Sequence, residues 1–223
     1  MKNLYALLIF ALFGGLFTGY GQAVEITPSF GYQFGTKLNY PLGYLKFNDG
    51  EQYGLTVGYD VEGELVVEVT WIHMDSEMRL RDVDFAPIET RLADVAADWI
   101  QFGVNKYLQD DSVKPFLGGG LGFTIFSPSN ENFNLVNRAL SNTTKFSFFF
   151  KGGVNLMISE VVGINLQGNL LFPVEWGGVY VGGGTGGVSG GASVSTTTVI
   201  GGFSGGLIFR LGDRSTTTSS RDL

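Results

Sequence analysis

From Val24 onward, alternation of apolar and polar residues with a period of two dominates the sequence. The alternation occurs in eight segments, which are residues 25–34, 52–61, 64–71, 100–108, 117–125, 145–156, 163–172 and 198–210. Successive side chains of a β-strand point to opposite faces, so each segment predicts a strand with one apolar and one polar face. The helical period is nearly absent, and we therefore expect an all-β protein.

The composition of the polar face indicates which face is turned inward. A soluble β-sandwich packs its apolar face inside, whereas a membrane barrel turns that face toward lipid. Only 16% of the residues are charged and 34 of 223 are glycine, and the polar face is mainly Gly, Ser, Thr, Asn and Gln. Small side chains suit the narrow lumen of an eight-stranded barrel. The composition favours a membrane barrel, with a soluble sandwich or lipocalin-like barrel as the alternative.

The connections between the segments alternate strictly between long and short. The long linkers cover about residues 36–50, 75–97, 127–143 and 173–196, and the short ones cover residues 62–63, 109–113 and 159–161. Tight turns on one side and long loops on the other are typical of outer-membrane barrels. The sequence therefore predicts an eight-stranded antiparallel up-and-down transmembrane β-barrel.

The first 23 residues have the pattern of a secretory signal peptide. Lys2 precedes a short apolar run, and Gly21 and Ala23 are small residues at positions −3 and −1 of a cleavage site. We expect cleavage after Ala23, a barrel over residues 24–212 and a polar periplasmic tail over residues 213–223.

The pattern as a whole resembles the small eight-stranded outer-membrane β-barrel family, the group of the OmpA transmembrane domain, OmpW and the opacity proteins. The segment 205–211, Gly-Gly-Leu-Ile-Phe-Arg-Leu, looks like the C-terminal insertion signal of that family, although a polar tail follows it. The resemblance implies a monomer in the bacterial outer membrane, in contact with lipid, lipopolysaccharide and the barrel-assembly machinery. It further implies a structural or surface-interaction role, with an extracellular ligand bound through the loops. A small-solute channel is the alternative.

Charged residues on the polar face predict a network that plugs the lumen. Its expected members are Glu25, Glu62, Glu64, Glu68, Lys151 and Arg210, with Asp60 and Lys145 on the same face. Because an unpaired charge in a confined lumen loses solvation without compensation, we expect these groups to pair, with Glu68–Lys151 in the middle. Independent charges in a wet pore are the alternative.

Aromatic residues near the ends of the segments predict girdles at the membrane interfaces. The expected members are Tyr59, Trp71, Trp99, Trp176 and Tyr180.

Catalytic and cofactor signals are sparse. His73 is the only histidine, and Ser76 lies three residues away, an odd separation that puts the two on opposite faces of a strand. A lipid A-modifying enzyme is therefore an alternative that the spacing does not favour, and we expect no enzyme. The sequence contains no cysteine and offers no metal or cofactor motif, and its net charge of −7 argues against a nucleic-acid partner.

Overall fold

The computed structural model describes residues 23–62, 64–84, 86–108, 112–135, 140–174, 179–183, 188–192 and 198–212. The expected signal segment before Ala23 and the expected tail after Gly212 lie outside these residues. Twelve strands are present in the described part: β1 Val24–Gln33, β2 Thr36–Tyr40, β3 Gly43–Phe47, β4 Gly50–Glu62, β5 Leu65–Asp82, β6 Ala86–Tyr107, β7 Val113–Ser129, β8 Thr143–Met157, β9 Val162–Pro173, β10 Val179–Gly183, β11 Val188–Ala192 and β12 Ile200–Leu211. Within the same part, no helix has the length and apolar character needed to span a membrane.

Eight of the strands close into a ring in which every neighbour is antiparallel. The order around the ring is β1, β4, β5, β6, β7, β8, β9 and β12, and β12 pairs with β1 to close it. Strands that follow one another in the ring also follow one another along the chain, apart from two hairpins inserted in the connections. The prediction of an eight-stranded antiparallel up-and-down barrel is confirmed.

The register staggers the strands by ten residues around the ring. A row of residues that are paired directly between neighbouring strands starts at Gln33 of β1. It passes through Gly202 of β12 and Asn169 of β9 and then through the other strands to Asp60 of β4. Asp60 bonds through its backbone N–H to the carbonyl of Ala23, so the row returns to β1 ten residues before its start, at 23 instead of 33. This stagger tilts the strands against the barrel axis and, with the strand number, sets the barrel radius.

The outer face of the ring is a continuous band of exposed apolar side chains. Large residues exposed on it include Phe30, Leu55, Val69, Trp71, Phe102, Leu121, Phe148, Phe150, Leu166, Phe203 and Leu207. The inner face carries glycines and polar residues, because the alternation of each strand matches its pleat. Such an inside-out distribution is typical of a barrel in lipid.

The two ends of the barrel differ in the length of their connections. One end holds the start of β1, the end of β12 and the connections between β4 and β5, between β6 and β7 and between β8 and β9, and we name it the turn end. The other, the loop end, holds the β2–β3 hairpin, the connections between β5 and β6 and between β7 and β8, and the β10–β11 hairpin. The prediction of short connections on one side is confirmed.

The prediction of a long loop over residues 75–97 is wrong. β5 and β6 continue beyond the other strands to Asp82 and Ala86, and β3 pairs with the extended part of β5. Met78, Leu92 and Val95 are buried in a small core there. The outward positions of this stretch are charged rather than apolar, which hid the alternation in the sequence.

Candidate functional site in the barrel interior

A buried ion pair crosses the middle of the lumen. Nζ of Lys151 on β8 lies 2.5 Å from Oε1 and 2.6 Å from Oε2 of Glu68 on β5, and the Asn105 amide donates to Oε2 at 2.5 Å. The side chains of Lys151 and Glu68 are only 6% and 2% exposed, respectively. Because β5 and β8 lie three strands apart in the ring, the pair connects opposite walls of the barrel.

A second polar network crosses the lumen at the turn end. Arg210 on β12 lies 2.8 Å from Oδ2 of Asp60 and 3.9 Å from Oε1 of Glu25. The Tyr107 hydroxyl on β6 donates to Glu25 at 2.6 Å. The amide of Asn155 donates to the Tyr107 oxygen at 2.8 Å, and the chain of contacts continues to Asn165 on β9. This network links β12, β1 and β4 with β6, β8 and β9.

Between the two networks lies a small polar cavity. It has room of about 20 Å³, and its lining includes Glu25, Glu68, Tyr107, Lys151 and Asn155. A space of this size holds about one water molecule, which the polar groups in its lining would bind.

An apolar cluster lies in the lumen on the loop-end side of the central ion pair. Its members, which we name the apolar plug, are Ile72, Trp99, Phe149, Leu171 and Ile200. Trp99 and Leu171 are fully buried, and a side-chain carbon placed on Gly103 would meet the Phe149 ring at 2.5 Å. The lumen therefore has polar cross-links toward the turn end and a buried apolar cluster toward the loop end.

The expected interfacial position of Trp99 is wrong, since its side chain points into the lumen. The odd-numbered residues of β6 near it, such as Gln101 and Gly103, face inward, and Trp99 shares their parity. Phe149 of the apolar plug was not identified from the sequence, although it lies between Ser147 and Lys151 on the inward face of β8. In both cases the odd-numbered position along the strand indicated the inward face. The aromatic character of the residue suggested the outer wall instead.

The remaining expected residues divide between the lumen, the outer wall and the undescribed parts of the chain. Glu64 is exposed in the β4–β5 turn, so its expected place in the lumen is wrong, because β5 begins only at Leu65. Trp71 is exposed on the outer wall and Tyr59 is half-buried there. Trp176 and the side chains of Glu62 and Tyr180 lie outside the described residues.

His73 lies on the outer wall, at the loop-end edge of the apolar band. Its Nδ1 is 2.8 Å from Oδ1 of Asp98, its Nε2 is 3.5 Å from Oδ1 of Asp75, and its ring lies 4.9 Å from that of Tyr53. The Ser76 hydroxyl instead donates to the carbonyl of Asn48 at 2.6 Å. Within the described part of the chain, His73 thus contacts two carboxylates and no hydroxyl nucleophile. Among the described residues, no group of three His, Asp or Glu side chains could hold a metal ion.

Comparison with solved structures places this architecture among known barrels. OprG, an outer-membrane protein of Pseudomonas aeruginosa, superposes with a TM-score of 0.67 at 12% identity, over 86% of this chain and 97% of that one. The outer-membrane protein AlkL gives 0.52 at 14% identity over 87% and 93%, and the Neisserial surface protein NspA gives 0.50 at 15% identity over 85% and 96%. No protein-family model and no curated protein sequence matches the chain. The chain therefore has the fold of the small outer-membrane β-barrels, which confirms the resemblance at the level of the fold.

Proposed function

We propose that this chain is an integral outer-membrane barrel with a closed lumen, and that it acts through the surface of its loop end. The exposed apolar band would face lipid, the turn end would face the periplasm and the loop end the cell exterior. Export through a signal peptide cleaved after Ala23 belongs to this proposal, and N-terminal sequencing of the membrane-bound protein should then begin at Val24.

The observation that carries the proposal is the succession of two closures along the lumen. A solute would have to separate the Glu68–Lys151 pair and also displace the apolar plug. Breaking a buried ion pair exposes an uncompensated charge, and disrupting a packed apolar cluster loses its burial. Two different kinds of interaction therefore support a barrel that does not conduct.

The loop end supports a role in surface interaction. The parts of β5 and β6 that continue beyond the other strands, which we name the β5–β6 extension, have their own apolar core around Met78 and Leu92. The extension is therefore an ordered part of the protein rather than a simple linker. Its outward face carries ion pairs of Arg79 with Glu77 and Glu89. An ordered, charged sheet above a membrane offers a fixed surface for a partner.

Planar-bilayer recording tests the closed lumen directly. The unmutated protein should show no steady current. A variant that removes the central pair, the apolar plug and the turn-end network should conduct. It carries the substitutions Glu68→Ala, Lys151→Ala, Trp99→Ala, Phe149→Ala, Tyr107→Ala and Arg210→Ala. Trp71→Ala provides a matched control on the outer wall and should stay closed. A large steady current through the unmutated barrel would instead establish the small-solute channel.

The same proposal holds that the chain is not an enzyme. The placement of His73 between two carboxylates, with the Ser76 hydroxyl bonded elsewhere, supports this part of it. Lipid A from cells that express the protein should have an unchanged mass spectrum. A modification that disappears in His73→Ala would contradict the proposal.

A further inference from the structure

Five polar residues around the apolar plug carry side-chain atoms that have no hydrogen-bond partner among the described residues. We name Gln33, Gln101, Thr124, Ser147 and Asn169 the polar belt. The unpaired atoms are the three amide nitrogens, the amide oxygens of Gln33 and Asn169, and both hydroxyls. None of the five side chains is more than 6% exposed. Buried polar groups nearly always have a partner, because an unpaired one loses its hydration without compensation. The polar belt therefore requires a further partner.

The polar belt lies at the level of the apolar plug. On β6, β8 and β9, a belt residue and a plug residue are two positions apart on the inward face of the same strand. On β7, Thr124 pairs in register with Trp99. On the opposite wall, Gln33 and Asn169 pair with Gly202 from either side. A side-chain carbon placed on Gly202 would lie 3.1 Å from Oδ1 of Asn169 and 3.1 Å from Cγ of Gln33. Unpaired groups thus meet the plug from five strands.

The layer that contains the plug and the polar belt is bounded on both sides along the lumen. Toward the turn end lies the Glu68–Lys151 pair, and Lys151 is two positions from Phe149 on β8. Toward the loop end, the Trp99 ring lies 6.1 Å from the Phe126 ring, which packs on the core of the β5–β6 extension. A partner of the polar belt lies between these two boundaries and shares the layer with the plug, so it must be small.

The chemistry of the unpaired groups defines the partner further. All of them are uncharged, the amide nitrogens donate, the amide oxygens accept, and the hydroxyls do both. A cation would leave the donors unpaired, and an anion would leave the acceptors unpaired. A larger polar solute would have to displace the plug. Water both donates and accepts, and it satisfies buried polar groups of this kind in most globular proteins.

We propose that the polar belt is a binding site for long-lived internal water molecules around the apolar plug. Nε1 of Trp99, which also has no partner among the described residues, donates to one of them. The loop-end closure then consists of an apolar centre and a hydrated wall, and water connects the plug to the strands. This inference rests on the closed lumen proposed above, because an open lumen would exchange its water rapidly with the solvent.

Nuclear magnetic resonance of the full-length, detergent-folded protein tests the inference. Water that stays bound for longer than the protein takes to tumble gives nuclear Overhauser contacts to nearby protons, whereas surface water leaves too fast. At a pH where amide protons exchange slowly, the side-chain amides of Gln33, Gln101 and Asn169 should show such contacts at the water frequency. Asn39 is the matched control, because its side chain is exposed on β2 and should show none. Belt amides with contacts to plug side chains and none to water would overturn the inference.

The stability of Gln33→Met gives a second test, since methionine is as long as glutamine and lacks the amide. Removing an amide that has no partner would raise the midpoint of heat-modifiable gel migration, whereas removing an amide bound to water would not. We expect a midpoint no higher than that of the parent, and a higher one would overturn the inference. Thr56→Val is the matched control for a direct bond. The Thr56 and Thr70 hydroxyls lie 3.0 Å apart, so its midpoint should fall by about 2–4 °C.

Planar-bilayer recording separates the inference from the closed lumen on which it rests. A steady current through the unmutated barrel would contradict the closed lumen, and the inference with it. A barrel that passes no current and whose belt amides show no contact with water would contradict only the inference.

Discussion

The ammonium group of Lys151 contacts both carboxylate oxygens of Glu68, at 2.5 and 2.6 Å, across the inside of the barrel. Both side chains are buried, so each ion depends on the other for the solvation that it lost. The pair joins β5 to β8 and links segments 83 residues apart in the chain. It therefore contributes both to closing the lumen and to holding the ring together.

Replacing Lys151 with methionine should destabilise the barrel by about 3–5 kcal/mol, because it leaves the Glu68 carboxylate buried without a partner. Urea titration of the protein in lipid vesicles, followed by tryptophan fluorescence, measures this change. The double variant Glu68→Leu/Lys151→Met should recover most of the lost stability, since no charge remains. A single variant as stable as the parent would show that the pair is solvated.

Alanine at Gly103 should destabilise the barrel by about 1–3 kcal/mol through overpacking. Its new side-chain carbon would meet the Phe149 ring at 2.5 Å and the carbonyl oxygen of Gly119 at 2.8 Å. Gly168→Ala is the matched control, because the only neighbour near its added carbon is the Gly202 oxygen at 3.7 Å. The midpoints of heat-modifiable gel migration should separate the two variants, and equal midpoints would contradict the packing of Phe149 on Gly103.

Brominated lipids should quench Trp71 and leave Trp99 unquenched, because bromine on an acyl chain reaches the outer wall and not the lumen. The measurement uses a Trp176→Phe background, in which Trp71→Phe removes the quenched fraction and Trp99→Phe removes the unquenched one. Quenching of Trp99 by bromine near the headgroups would restore the interfacial position expected from the sequence.

Acid should loosen the β5–β6 extension before the ring. A hydrogen bond from Tyr44, with the nearby cations Lys46 and Arg79, lowers the pKa of Glu89 below its usual 4.5. Hydrogen bonds from Arg91 and Asn130 lower the pKa of Asp94 below 3.8. Since both values are depressed in the folded state, their stabilisation is present above the ordinary pKa and disappears as the pH falls through the lowered one.

Amide hydrogen exchange checks this dependence. After correction for intrinsic rates, residues 77–94 should lose protection below about pH 4, while residues 100–107 of the ring keep theirs. The double variant Glu89→Gln/Asp94→Asn removes these two carboxylates and should show a weaker dependence on pH than the parent. Equal loss of protection in the ring and in the extension would contradict a local effect.

The ring strands were predictable from the sequence because lipid and lumen impose opposite demands on alternate residues. Leu121 and Gly122 illustrate this requirement, since one is exposed on the apolar wall and the other faces the narrow interior. The extension beyond the band was not predictable in the same way. Both of its faces meet protein or water, so Arg79 and Met78 alternate without the aromatic signal of a lipid-facing strand.

The interior was only partly predictable for a related reason. Charged residues with inward parity identified Glu25, Glu68, Lys151 and Arg210 as lumen residues, since charge is excluded from the lipid face. Trp99 and Phe149 are acceptable on either face, and composition alone does not distinguish the two. The contacts across the ring, such as Tyr107 with Glu25, depend on the stagger between strands and are not visible in any local pattern.

The ten-residue stagger has a consequence for how such a barrel can change its role. Strand number and stagger fix the radius of the barrel, and neither depends on which side chains occupy the lumen. A closed barrel can therefore become a channel through a few substitutions at inward positions, while the hydrogen-bonded wall stays intact. Permeability in this fold depends on the inward side chains, and selection can change these side chains without changing the strand pairing.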